Sequence, residues 1–172
     1  MKEKTCCFTG HRNISPAKFI YIKHRLITVI EEAISSGITD FCTGGALGFD
    51  TVAAQTVLEA KKNHPHIKLH LVLPCKGQAE NWSVVNRRIY EDILGRADSV
   101  TYVSENYTRY CMQLRNREMV DRADLILCYI EREKGGAWQT VEYAIKQGKA
   151  VINLSDEHEN NSKLFEKSEE NH

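Results

Sequence analysis

Short apolar runs alternate with longer stretches of helical periodicity along almost the whole chain, and that alternation is the pattern of a parallel sheet covered by helices. The runs fall at 5–8, 40–43, 68–73, 99–103, 124–130 and 150–153. Between the first two, Phe19, Ile22, Leu26, Ile30 and Ala33 recur at helical spacing, with Ser15 at the N-cap position, Pro16 opening the helix and Gly37 closing it. Val52, Ala53, Val57, Leu58 and Ala60 form one face of a second helix, which starts at Gly48 or Asp50 and breaks at His64-Pro65. A third, over 82–97, turns Val85, Ile89, Ile93 and Leu94 inward; 110–122 and 138–147 supply a fourth and a fifth. The expected class is α/β, a three-layer sandwich with a mostly parallel sheet of about six strands flanked by helices.

A chain of 172 residues with 42% apolar content suits one such domain, expected over 1–154. The remainder, 155–172, holds six acids against two lysines and reads as a polar acidic tail on which Leu164 and Phe165 offer apolar docking points. Lysine plus arginine and aspartate plus glutamate both total 23, so bulk electrostatics disfavours nucleic acid as a partner, and the modest excess of bases before the tail suits small anions. No segment reaches the roughly 18 apolar residues of a membrane helix, and the chain opens on a strand pattern instead of a signal peptide, so no membrane association and a cytoplasmic location are expected. Cys6, Cys7, Cys42, Cys75, Cys111 and Cys128 form no Cys-x-x-Cys pair and pair with no His at ligand spacing. They read as reduced core residues, with no metal site and no cofactor implied.

In a parallel α/β sheet, ligands sit at the carboxyl ends of the strands, where helix N-termini present free N–H groups. Three strand exits carry glycine and polar residues. The first, Thr9-Gly10-His11-Arg12, offers a hydroxyl, a close backbone approach and two donors for a phosphate or carboxylate, or is an ordinary polar turn. The second, Thr43-Gly44-Gly45-Ala46-Leu47-Gly48-Phe49-Asp50, lets the main chain wrap an anion. It matches neither the P-loop nor the strict dinucleotide fingerprint, and its Asp50 either caps the helix or reaches a ribose hydroxyl. The third, Gly135-Gly136-Ala137-Trp138-Gln139-Thr140, meets a helix N-terminus, with Glu142 in the first turns. There Glu142 is either a first-turn acid favoured by the helix dipole or a group facing the ligand.

These segments resemble known ones. Thr43 to Asp50 resembles the Ser-Gly-Gly-Ala-x-Gly-Ile-Asp segment of the DNA-processing protein DprA, and Gly135-Gly136 with Glu142 resembles the Pro-Gly-Gly-x-Gly-Thr-x-x-Glu motif of the LOG phosphoribohydrolases. Both belong to the SLOG superfamily of Rossmann-like domains. Thr9-Gly10-His11-Arg12 and the chain length look most like its YpsA-type branch, over residues 4–154. The resemblance implies a pocket for a nucleotide or nucleotide-derived ligand, with its phosphate over the glycine turns, and homodimers are common among such proteins. LOG enzymes hydrolyse the N-glycosidic bond of nucleoside 5′-monophosphates with an Arg-Lys pair and the motif Glu. That places Arg115 and Glu142 in catalytic positions, but Asn116 stands where the Lys belongs, Trp138 and Gln139 replace Gly and Thr, and Lys134 replaces Pro. The sequence reading is therefore a ligand-binding sensor or regulatory module, with an N-glycosidase of nucleoside monophosphates as the alternative.

Overall fold

The chain lays down β1 (Lys4–Gly10), α1 (Pro16–Ser35), β2 (Ile38–Thr43), α2 (Phe49–Lys61), β3 (Lys68–Leu73), α3 (Val84–Arg96), β4 (Ser99–Tyr102), α4 (Cys111–Arg122), β5 (Leu125–Tyr129), α5 (Gly136–Lys146) and β6 (Ala150–Asn153). The computed structural model describes residues 4–155. All strand pairs are parallel, in the order β4-β3-β2-β1-β5-β6. The expected α/β sandwich is the one observed. Beyond Ser155 the expected acidic tail, with Leu164 and Phe165, lies outside the described residues.

Strand alternation builds two cores from one sheet. Phe8, Phe41, Leu69, Leu71, Leu73, Leu125 and Leu127 face α1, α2 and α3, where Ile22, Leu26, Ile30, Ala53, Val57 and Ile93 cover them. Cys7, Cys42, Val72, Ile126 and Cys128 face the other way, onto Met119 and Val120 of α4 and Val141 and Ala144 of α5. All six cysteines are buried and free of disulfides.

Helix ends differ in detail from the expectation. Ser15 holds the N-cap position of α1 but makes no side-chain cap bond, whereas Ser83 caps α3 by accepting from the Asn86 amide at 3.2 Å. Phe19 and Val85, expected inside, are 41% and 66% exposed. Both sit in the opening turn of a helix whose buried residues begin later, at Ile22 in α1 and Tyr90 in α3. Periodicity alone does not tell where along a helix the sheet beneath it ends.

Candidate functional site

From β1 the sheet grows through β2 to β3 and β4; the chain then crosses back to place β5 on the opposite side of β1. The carboxyl ends of β1 and β5 therefore flank the point where the winding direction reverses, which is where open α/β sheets leave a crevice. Main-chain bonds lock the turns around it. His11 N–H donates to the Tyr129 carbonyl at 3.3 Å, and Phe49 N–H donates to the His11 carbonyl at 3.1 Å. The Glu131 amide donates to His11 Nε2 at 3.0 Å, so that nitrogen is the unprotonated one. Burial lowers the His11 pKa, which suits this neutral acceptor role.

A cleft of about 260 Å³ opens at this point. Thr9, Gly10, His11 and Arg12 line it from the β1 exit, Ala46 and Asp50 from the β2 exit, and Lys134, Gly135, Gly136 and Ala137 from the β5 exit. Met112, Arg115 and Asn116 of α4 close the remaining wall. Arg115 is 4% exposed. Its Nη1 donates to the Gly44 carbonyl and its Nε donates to Asn116 Oδ1 at 2.7 Å. Asp50 accepts from the Ala46 amide at 3.2 Å, so it holds its own loop instead of capping α2. Burial raises its pKa to about 6, against the opposing pull of the Arg115 charge. Burial likewise lowers the Arg115 pKa, with Asp50 opposing. The pair is thus a poorly solvated couple whose cation faces a cavity, and an incoming anion would offset that desolvation.

The two helix N-termini at the cleft are not equivalent. At the three-glycine turn the amides are already engaged: Gly45 N–H with Thr43 Oγ1 at 3.4 Å, Ala46 N–H with Asp50, and Phe49 N–H with His11. At α5, the first turn starts on Gly135 and Gly136, and at either position a Cβ would meet nothing within 4 Å. The amides of that turn have no intrahelical acceptor and adjoin the cleft. Of the two, it is the α5 end whose first-turn amides are left unengaged beside the cleft.

Of the residues singled out by sequence, Thr9, Gly10, His11, Arg12, Ala46, Asp50, Arg115, Gly135, Gly136 and Ala137 line the cleft together. Thr43, Gly44, Gly45 and Gly48 do not; they are needed for packing. A Cβ on Gly44 would stand 2.5 Å from Arg115 Nη1, one on Gly45 2.5 Å from Leu73, and one on Gly48 2.2 Å from the Arg12 carbonyl. Gly10 shares that burden, since a Cβ there would lie 2.6 Å from the Phe49 ring. Trp138 packs, half-buried, against the α4–α5 core, and Thr140 bonds back to the Gly136 carbonyl at 2.8 Å. Glu142 is exposed and lines none of the clefts described here. The expectation that it projects into the pocket is corrected: of α5, Gly136 and Ala137 line this cleft, and Glu142 lies off it.

A second cleft of about 290 Å³ shares Met112, Asn116 and Gly136 with the first. Arg109, Tyr110, Gln113 and Arg117 from the α4 side and Gln139, Thr140 and Tyr143 from α5 complete it. Arg109 sits over the Tyr110 ring at 5.4 Å and Arg117 over Tyr143 at 5.3 Å. Sequence reasoning missed this trough, although Arg109, Met112, Gln113 and Asn116 recur at helical spacing and marked the face. No group of three or more His, Cys, Asp or Glu among the described residues is placed to hold a metal, and no described helix is long and apolar enough to cross a membrane.

A family model described as the YspA SLOG family matches residues 6–163. The chain belongs to that family. The Bacillus subtilis SPbeta prophage-derived protein YoqJ is 34% identical over 138 residues, covering 73% of this chain and 81% of that relative. Among solved structures, DNA processing protein A from Streptococcus pneumoniae superposes with a TM-score of 0.65 at 18% identity, covering 87% of this chain, which spans about half (49%) of that protein. The Helicobacter pylori protein of the same name, which has a single-stranded DNA binding mode, gives 0.64 at 21%, covering 96% of this chain and 73% of that one. These likenesses establish the Rossmann-like fold. The expectation that nucleic acid is disfavoured as a partner draws no support from them.

Proposed function

We propose that this SLOG protein binds a nucleotide or nucleotide-derived ligand through its ribose-phosphate moiety in the switch-point cleft, as a sensor or regulatory module. The observation that carries the reading is the pairing of free first-turn amides at α5 with a buried arginine across one cavity. The phosphate rests on the Gly136 and Ala137 amides, Arg115 and Arg12 supply positive charge, and Asp50 is within the same cleft for a ribose hydroxyl. With Glu142 away from the cleft and Asn116 where a Lys would stand, the N-glycosidase alternative lacks two of its three groups, so binding without turnover is the reading favoured.

Gly136→Pro tests it directly, because proline at a first helical position preserves the helix while deleting one amide donor. Calorimetry with adenosine 5′-monophosphate and ribose 5-phosphate should detect saturable binding by the wild type and at least a tenfold loss in Gly136→Pro and Arg115→Ala. Absence of binding by the wild type to any nucleoside monophosphate, or affinity unchanged in both variants, would overturn the assignment.

The adjoining trough favours a second reading, in which the ligand is a short single strand of nucleic acid. Tyr110 and Tyr143 offer stacking faces, and Arg109 and Arg117 offer charges along one groove. Fluorescence anisotropy with an oligo-dT at low salt, compared between wild type and Arg109→Ala/Arg117→Ala, discriminates the two. Binding lost in the double variant supports the strand, and no binding at low salt removes it.

A further inference from the structure

Away from the cleft, three neighbouring strands bring together an acid, an imidazole and a hydroxyl that the nucleotide reading does not use. Cys42, His70 and Ser99 lie in one row across β2, β3 and β4, and Asp40 lies two residues before Cys42 on the same face. His70 Nε2 lies 2.6 Å from Asp40 Oδ1, and His70 Nδ1 lies 2.6 Å from Ser99 Oγ. Thr39 Oγ1 donates to the other Asp40 oxygen at 2.6 Å and so orients the carboxylate. Exposure rises along the array: the Asp40 side chain is 9% exposed, that of His70 21%, and Ser99 is open to solvent. A buried acid, a half-buried base and an accessible hydroxyl are the ordering a nucleophilic hydrolytic triad requires.

Chemistry fixes the proton positions. An ionised Asp40 only accepts, so Nε2 carries the proton toward it and Nδ1 is left to accept from the serine hydroxyl. The strand supplies the remaining part. Asp98 N–H donates to the Leu69 carbonyl at 2.8 Å, so by alternation along β4 the Ser99 amide faces the open edge of the sheet. Unclaimed by the neighbouring strand, it is left as a donor for an oxyanion on a carbonyl bound to Ser99 Oγ. Lys68, two residues before His70 on the same face of β3, adds a positive charge to the patch.

We infer that Ser99, with His70 as its base and Asp40 as the positioning acid, is a nucleophile that cleaves small, unhindered carboxylic esters. Ser99 Oγ attacks the carbonyl carbon while its proton passes to Nδ1, forming an imidazolium next to Asp40. The C–O bond to the leaving group breaks, and the imidazolium returns the proton to the departing alkoxide. Water then adds to the acyl-serine through the same base, releasing the carboxylic acid and restoring Ser99. The open edge of the sheet admits a small acyl group, which sets the substrate class.

Labelling with a fluorophosphonate, followed by peptide mapping, tests the nucleophile, and release of p-nitrophenol from p-nitrophenyl acetate tests turnover. The expected result is an adduct on Ser99 that is absent in Ser99→Ala, slowed at least 100-fold in His70→Gln and at least tenfold in Asp40→Asn. Urea midpoints of the same variants separate chemistry from folding, and the surface change Ser99→Ala keeps the test valid if His70→Gln does not fold. No adduct on the wild type, adducts on other residues only, or equal rates in wild type and Asp40→Asn would overturn the inference.

Discussion

The lock between the β1 and β2 exits yields a prediction whose size follows from the coordinates. Gly48 has φ +78°, and a Cβ there would lie 2.2 Å from the Arg12 carbonyl oxygen and 2.6 Å from that of His11. Gly148 has φ +72° with nothing within 4 Å of the same position. An alanine at either site takes on the left-handed backbone cost of about 1–2 kcal/mol. At Gly48 the contact is with backbone, which cannot swing aside, so the turn must move. That movement breaks the bond from Phe49 N–H to His11, a loss of about 1 kcal/mol. It also disturbs Phe49, a fully buried ring that contacts Phe8 and Tyr129, for about 1–3 kcal/mol more. Gly48→Ala is therefore expected to cost about 3–6 kcal/mol and Gly148→Ala about 1–2 kcal/mol. Urea denaturation followed by far-ultraviolet circular dichroism measures both; at a slope of about 2 kcal/mol/M the two midpoints should differ by roughly 1–2 M. Equal midpoints with unchanged slopes would refute the claim that the two turns are locked by this contact.

Three further outcomes are expected. Gly44→Ala should weaken nucleotide binding about tenfold without touching the ligand, because its methyl displaces the Arg115 guanidinium; calorimetry checks it, and unchanged affinity would show that Arg115 is not held by this contact. Asp50 has a folded pKa near 6 against about 3.9 unfolded, so the folded state holds its proton more tightly and wild-type stability falls as pH rises from about 4 to 6. Asp50→Asn removes that dependence, and its urea midpoint relative to wild type should improve between pH 4 and pH 7 by the equivalent of up to about 3 kcal/mol; a pH-independent difference would contradict the burial argument. Glu142→Gln should leave nucleotide affinity within about twofold of wild type, since α5 turns that side chain to solvent, and a large loss would restore the residue to the site.

Much of the fold was legible because each strand carries its own signal. Lys68–Leu73 and Ala150–Asn153 coincide with the apolar runs. The cleft was partly legible for a topological reason: glycine and polar residues at the β1, β2 and β5 exits converge once the strand order is known. Sequence could not tell which glycines serve a ligand and which serve packing. Gly44 and Gly48 make room for Arg115 and for the Arg12 backbone, whereas Gly135 and Gly136 stand in open space, and only the fold separates these cases. Glu142 was misplaced because a motif spacing fixes a position along α5 but not which neighbour the helix face meets. Asp40, His70 and Ser99 were invisible because their meeting depends on the registers of three strands.

The central claim is that an anion-bearing nucleotide seats on the free amides of the α5 first turn, opposite Arg115. Titration of isotope-labelled protein with adenosine 5′-monophosphate, followed by amide NMR, reads this residue by residue. The account predicts saturable shifts at Gly136, Ala137, Arg12 and Ala46 with one dissociation constant, and their disappearance in Arg115→Ala. Shifts confined to another face of the sheet, or none at millimolar ligand, would contradict it.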